Sequence, residues 1–152
     1  MKVIFDVDGT LMDIEHRRVH LQNGNNDWEA FNNAMEHDTP NFPIMQIARE
    51  MSDEINNSTG SLAHEIVICS ARNERHREIT ESQIRDCGVD FMHCFLRGDD
   101  DFRPDEVFKQ DVLDALIAQD WKPDLVFDDR NKVVDMWRRN GLVCVQVAEG
   151  DF

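Results

Sequence analysis

Five short apolar runs, none of them alternating, set the strongest limit on how this chain can fold. Val3 to Val7, Ile66 to Cys69, Leu125 to Phe127 and Leu142 to Val147 are rich in Val and Ile, and Phe91 to Leu96 is a weaker fifth. A strand with one face in water alternates apolar and polar residues, whereas a strand covered on both faces reads as a continuous apolar run. A parallel sheet buried between two layers of helices is therefore expected.

The intervening segments carry helical periodicity. Ile44, Ile47, Ala48, Met51 and Ile55 follow a 3.6-residue stripe after Pro43, a residue suited to the first helical turn. Glu74 to Cys87 reads as a helix stopped by Gly88. Pro104 to Ala118 sets Val107, Phe108, Val112, Leu113 and Leu116 on one face, and Asn131 to Arg139 forms a further helix closed by Asn140-Gly141. Strands alternating with helices predict an α/β protein with a Rossmann-like, doubly wound parallel sheet. Asn23 to Asp27 and Asn56 to Ser61 are polar, turn-prone loops. The expectation is one domain over 1–152, with an elaborated, small helical insert at about 13–64 and no large cap.

In open α/β sheets, ligands bind beyond the carboxyl ends of the strands. The first strand runs out into Asp6-Val7-Asp8-Gly9-Thr10, the second into Ser70-Ala71-Arg72, and the last but one into Asp128-Asp129-Arg130. Four carboxylates are thereby expected on one rim, beside a hydroxyl and arginines. Such a cluster repels itself and loses hydration unless a cation sits in it. Oxygen donors in that number suit Mg²⁺; zinc would call for His or Cys. Alternate residues leaving a strand can face the same way, so Asp6 and Asp8 can address one substrate. One would attack phosphorus while the other protonates the leaving oxygen. Gly9 permits the tight turn that lets backbone amides approach a phosphate.

Charge restricts the substrate. The chain is 41% hydrophobic and 31% charged, with a formal net charge of -15. A protein this acidic repels polyanions at long range, which argues against stable non-specific nucleic-acid binding. A phosphate site must then be a focused pocket drawn from sixteen Lys and Arg residues, helped by a divalent metal. No apolar run approaches the roughly 20 residues that span a bilayer, and Met1 to Phe5 runs straight into acidic residues, unlike a secretory signal. No membrane association and a cytoplasmic location are expected. Cys69, Cys87, Cys94 and Cys144 form no CxxC pair and no zinc-like spacing with histidine, so reduced, mostly buried thiols are expected. Nothing in the sequence sets the oligomeric state.

Asp6-Val7-Asp8-Gly9-Thr10 resembles motif I of the haloacid dehalogenase superfamily. Ser70 resembles its motif II, Lys109 its motif III, and Asp128-Asp129 its motif IV, in the right order. The stretch from Phe127 through Trp137 to Phe152 is similar to the phosphatase domain of the phage T4-type polynucleotide kinase/3'-phosphatase family. That family's arginine eleven residues after motif I falls on Arg17, its Ser-x-Arg on Ser70 and Arg72, and its Arg-x-Asp on Arg103 and Asp105. The resemblance covers most of the chain and fades between about 21 and 61.

The resemblance implies an aspartyl-phosphate on Asp6, with Asp8 protonating the leaving alkoxide and then activating water. Mg²⁺ would be held by Asp6, the backbone carbonyl of Asp8 and the pair Asp128 and Asp129, with Asp129 the preferred direct ligand. Thr10, Arg17, Ser70, Ala71, Arg72, Arg103, Asp105 and Lys109 would bind phosphate or substrate, Ser70 and Lys109 gripping the phosphoryl oxygens. The implied substrate is a 3'-phosphate on a nucleic acid end or nucleotide. A 5'-mononucleotide or another small phosphate ester is the alternative, and a catalytically silent metal-binding adaptor the non-enzymatic one. The chain lacks a GxxxxGK[ST] loop, so no kinase activity is expected of it.

Other residues read two ways. Arg17 and Arg18 either clamp substrate or solvate a loop. Asp105 either orients Arg103 or is an ordinary acid at a helix start. Arg72, Arg75 and Arg77 around His76 oppose the helix dipole and hint at an anionic partner. Trp28, Phe31 and Phe42 suit packing of the insert better than stacking on a base. Trp137 is expected in the core, and the histidines show no ligand constellation.

Overall fold

The computed structural model describes Met1–Asp151; Phe152, at the end of the stretch noted above, lies outside the described residues. Lys2–Phe5 forms β1, followed by a turn and the short β2 (Met12–Asp13). Two small helices follow, α1 (Glu15–Arg18) and α2 (Trp28–Asn33), then β3 (Thr39–Pro40), antiparallel to β2. The longer α3 (Phe42–Asp53) leads to β4 (Glu65–Asn73), α4 (Arg77–Asp86) and β5 (His93–Arg97). The chain closes with α5 (Asp105–Ala118), β6 (Leu125–Asp128), α6 (Asn131–Arg139) and β7 (Val143–Gln146).

All five apolar runs join one parallel sheet in the order β5-β4-β1-β6-β7. The chain steps outward from β1 to β4 and β5, then returns past β1 to β6 and β7. The order thus reverses at β1, and the crevice beyond β1, β4 and β6 is where such a sheet holds a ligand.

The non-alternating runs have the expected cause. Ile4, Val67, Cys69, Val126 and Cys144 point into one apolar layer under α5 and α6. Val3, Phe5, Ile66, Ile68 and Phe127 point into the other, against α3 and α4. Phe5 and Phe127, register neighbours on β1 and β6, stack with ring centroids 4.6 Å apart. Because both faces are dry, every position along β1 from Val3 to Phe5 is buried.

The elements depart from expectation at their ends. β4 runs to Asn73, four residues past Cys69, and its register against β5 shifts between Ser70 and Asn73. Ser70, Ala71 and Arg72 therefore lie on an irregular strand end, not in the loop after it. The helix expected from Glu74 begins as a 3-10 turn over Glu74–His76 and becomes α-helical at Arg77. Gly88, with φ of +82°, ends it as anticipated.

Within the elaborated segment, α3 buries Met45 and Ala48 in the second apolar layer and serves as the crossover from β1 to β4. The elaboration proper is the stretch between β2 and β3. Among the described residues no helix is long and apolar enough to cross a membrane. The four cysteines are free, Cys69 and Cys144 buried and the others half-buried.

Candidate active site

Asp6 follows β1 directly, and its backbone N–H donates to the carbonyl of Phe127, 3.0 Å, prolonging the ladder by one residue. Asp128 ends β6 and Asp129 follows it. All three side chains are buried, and each can offer an oxygen within 4.8 Å of the other two. Lys109, buried on α5, places its Nζ 2.7 Å from Asp6 Oδ1 and 2.8 Å from Asp128 Oδ2. The indole N–H of Trp137 donates to the same Asp128 oxygen at 3.1 Å, and the Arg130 backbone N–H to the other at 3.3 Å. Trp137 is in the core as expected, and its bond to Asp128 is a role that the sequence did not reveal.

The cluster carries more negative charge than one ammonium can balance. Burial, then Asp128 and Asp129, push the Asp6 carboxyl well above its ordinary range, against the pull of Lys109. Burial and Asp128 likewise raise Asp129 to about 6. The Lys109 pKa is raised as well: burial works against its charge, but Asp128 and Asp6 outweigh it and hold it firmly protonated.

Asp129 Oδ2 is buried and accepts no hydrogen bond, with Arg18 Nη2 3.6 Å away. An all-oxygen donor set with one acceptor left open fits a hard divalent cation such as Mg²⁺. Gly9 closes on this same oxygen. Its φ is +83°, and a Cβ there would lie 2.2 Å from Asp129 Oδ2. Only glycine satisfies both the turn and the carboxylate.

Asp8 was expected on the same rim, but its side chain is turned elsewhere, so three carboxylates converge and not four. The carboxylate of Asp8 accepts from Arg17 Nη2 at 2.8 Å and from Arg72 Nε at 2.8 Å. Burial alone would raise its pKa, yet Arg72 and Arg17 together lower it below the usual carboxylate range. Two neighbouring aspartates thus occupy opposite electrostatic settings.

Both arginines are buried, which rules out the loop-solvating alternative for Arg17; it has no exposure at all. Their shared counter-ion is Asp38, which precedes β3. Its Oδ1 accepts from Arg17 Nε at 2.7 Å, and its Oδ2 accepts from Arg17 Nη2 at 2.8 Å and Arg72 Nη2 at 2.7 Å. His16 Nε2 lies 2.8 Å from Asp38 Oδ1. Arg72 also donates to Gln83 and Thr80 of α4. Phe31 lies under the Arg17 guanidinium, 4.2 Å from ring centroid to Cζ. Phe31 therefore packs, whereas Trp28, edge-on to it, and Phe42 remain exposed.

Asp38 and His16 were missed from the sequence. Asp38 is one of 31 acidic residues with no motif around it, and only the burial of two arginines far apart in the chain calls for it.

Among the remaining candidates, Thr10 and Ser70 are buried beside Asp8 and at the end of β4; Thr10 Oγ1 has no partner, and Ser70 Oγ accepts from the Arg72 N–H. Ala71 is half-buried between Ser70 and Arg72. Asp105 does not orient Arg103. It pairs with Arg97 at the end of β5 and with Arg130 after β6, because the start of α5 faces those strand ends. Arg103 is exposed and pairs with Asp101 and Asp111. Of the cationic helix start, Arg77 finds its anions within the chain, binding Glu74 and Glu81, while the backbone N–H of Arg75 donates to Asp99.

The Trp137 contact carries a stability prediction. Trp137→Phe retains an aromatic ring in the core but removes the buried donor to Asp128. A loss of about 1–2 kcal/mol in urea unfolding is expected. An unchanged midpoint would mean that Lys109 alone satisfies Asp128 Oδ2.

The model of the polynucleotide kinase PNKP phosphatase domain matches residues 1–152 of this chain. A chain of the Pnkp1/Rnl/Hen1 RNA repair complex is 29% identical over 99% of this chain and 43% of that one, with a TM-score of 0.75. A second structure of the Pnkp1/Rnl/Hen1 complex agrees in identity and TM-score, with 47% of its chain covered. This chain thus spans less than half the length of either. A hydrolase from Streptococcus pneumoniae TIGR4 shares the fold at 15% identity and a TM-score of 0.60, over 97% of this chain and 92% of its own.

Proposed function

From membership in the family of the polynucleotide kinase PNKP phosphatase domain, to which this chain belongs over residues 1–152, we propose a phosphatase in which Asp6 attacks phosphorus and Asp8 manages the proton. The observation that carries this reading is the segregation of the two. Asp6 sits under Lys109 in an acidic cluster, whereas Asp8, two residues on, sits in an arginine cage.

In the first half-reaction an Asp6 oxygen bonds to phosphorus as the bond from phosphorus to the ester oxygen breaks. Asp8 gives its proton to that leaving oxygen. In the second, a water loses its proton to Asp8 and attacks the aspartyl-phosphate, releasing inorganic phosphate and restoring Asp6. Asp8 begins ionised in its cage; a phosphate dianion arriving beside it favours the protonated form it needs as an acid. Lys109 pulls Asp6 toward its ionised, nucleophilic form, against the burial and neighbouring carboxylates that raise its pKa. Asp6, Asp128, Asp129 and the Asp8 carbonyl would hold Mg²⁺. When bound, it supplies the positive charge that lets a carboxylate approach a phosphate dianion. Thr10 and Ser70 would donate their hydroxyls to the phosphoryl group.

The substrate we favour is a 3'-phosphate at a polynucleotide end or on a nucleotide. Support comes from the similarity to a chain of an RNA repair complex over nearly all of this chain. The net charge of -15 favours short substrates over long polyanions. Four free cysteines suit a reducing compartment such as the cytoplasm. Turnover should be compared for 3'-phosphorylated oligonucleotides, 3'-mononucleotides and 5'-mononucleotides, each with and without Mg²⁺. Mg²⁺-dependent release of phosphate from the first two is expected. Cleavage of 5'-mononucleotides alone would defeat the end-repair reading and leave a small-molecule phosphatase.

A further inference from the structure

We infer that the segment from the last residue of β7, Gln146, to Gly150 is a strap that positions Asp129, with Gly150 as its critical residue. For its consequence in catalysis this inference rests on the phosphatase reading above. The geometry behind it stands apart from that reading.

Asp129 is oddly placed for a carboxylate that must be exact. One of its oxygens accepts no hydrogen bond, and its nearest cation is 3.6 Å away, so no direct bond to that oxygen fixes the side chain. What fixes it is its main chain, and the strap supplies the bonds. Val147 N–H donates to the carbonyl of Asp128 at 3.1 Å. Gln146 Nε2 donates to the carbonyl of Asp129 at 3.0 Å and to Asn131 Oδ1 at 2.6 Å. The carbonyl of Gly150 then accepts from Asn131 N–H at 3.0 Å, using a donor that the start of α6 leaves open. Four hydrogen bonds, made by three strap residues, thus clamp residues 128–131 from one side.

The clamp closes as tightly as two backbones allow. Gly150 is buried, and a Cβ there would lie 2.0 Å from the Asp129 carbonyl oxygen, 2.6 Å from Arg130 Cα and 2.7 Å from the Asp129 carbonyl carbon. These are main-chain atoms, so no side-chain rotation can make room. Any larger residue must lift the strap or push Asp129, and either moves the acidic pair against Asp6. The strap also walls the substrate side: Ala148 and Glu149 line, with Gly9, Arg18 and Asp129, a cleft of about 290 Å³.

The test is Mn²⁺ binding to the intact chain, followed by loss of the free-ion paramagnetic signal, alongside kcat and KM for a 3'-phosphorylated substrate. Gly150→Ala is expected to weaken Mn²⁺ binding about 10- to 100-fold, the usual effect of disturbing a ligand's support, and to lower kcat with little change in KM. Gln146→Ala should act in the same direction, more weakly. Gly98→Ala is the control, since a Cβ there meets nothing within 4 Å; it should bind as wild type does. If Gly150→Ala fails to fold, Gln146→Ala decides the matter. Wild-type Mn²⁺ affinity in folded Gly150→Ala, or in Gln146→Ala when it must decide, overturns the strap. A wild-type chain that binds no Mn²⁺ overturns the strap together with the metal reading. One that binds Mn²⁺ but hydrolyses no phosphate ester sinks the phosphatase reading alone.

Discussion

Asp6→Asn is expected to lose phosphatase activity by on the order of 10⁴-fold or more, the scale seen when a covalent nucleophile is removed. The amide keeps the shape of the carboxylate and an oxygen for Lys109 Nζ, which lies 2.7 Å from Asp6 Oδ1. It cannot attack phosphorus. Stability should move the other way or not at all. Burial, Asp128 and Asp129 raise the folded-state pKa of Asp6, so its ionised form at neutral pH weighs against folding. A neutral side chain removes that repulsion. Stored strain of this kind is common where function needs like charges together. The check is kcat alongside a urea unfolding curve. Activity within tenfold of wild type would defeat Asp6 as the nucleophile.

Asp38→Ala is expected to cost about 3–5 kcal/mol, because it leaves two buried guanidinium groups without their shared counter-ion. Arg17 and Arg72 reach Asp38 through three bonds of 2.7 to 2.8 Å, and all three side chains are buried. Asp8 would remain as their only carboxylate, drawn deeper into the cage. Because Asp8 is oriented solely by those arginines among the contacts described, kcat should fall about 10²-fold even though Asp38 is not proposed to meet the substrate. Asp38→Asn should lie between, since an amide oxygen accepts from one arginine but its amide nitrogen opposes the other. An unfolding midpoint equal to wild type would show that water or another acid takes the place of Asp38.

The legible parts of this protein were those written in local pattern. Val3 to Phe5 and Val126 to Phe127 announced themselves because a strand with two dry faces has no polar position to spare. Asn131–Arg139 was read to the residue, since its apolar side and its glycine stop lie within one stretch. Asp6, Asp128 and Asp129 could be grouped in advance because parallel strands all deliver their ends to one rim. The apolar run Ile66 to Cys69 stopped short of the end of β4, as polar side chains from Ser70 onward concealed a strand that continues through a register shift to Asn73.

Periodicity and strand-end chemistry, both short-range properties, carried the layer architecture, the sheet's direction and the identity of the acidic cluster. Pairing between charges distant in the chain was beyond their reach. That Asp8 faces the cage of Arg17, Arg72 and Asp38 and not the cluster, that Asp105 serves Arg97 and Arg130, and that Gly150 lies on the backbone of Asp129 depend on which elements the tertiary fold brings together. A buried charge selects its partner by proximity in a low-dielectric interior, and no spacing rule along the chain encodes that distance.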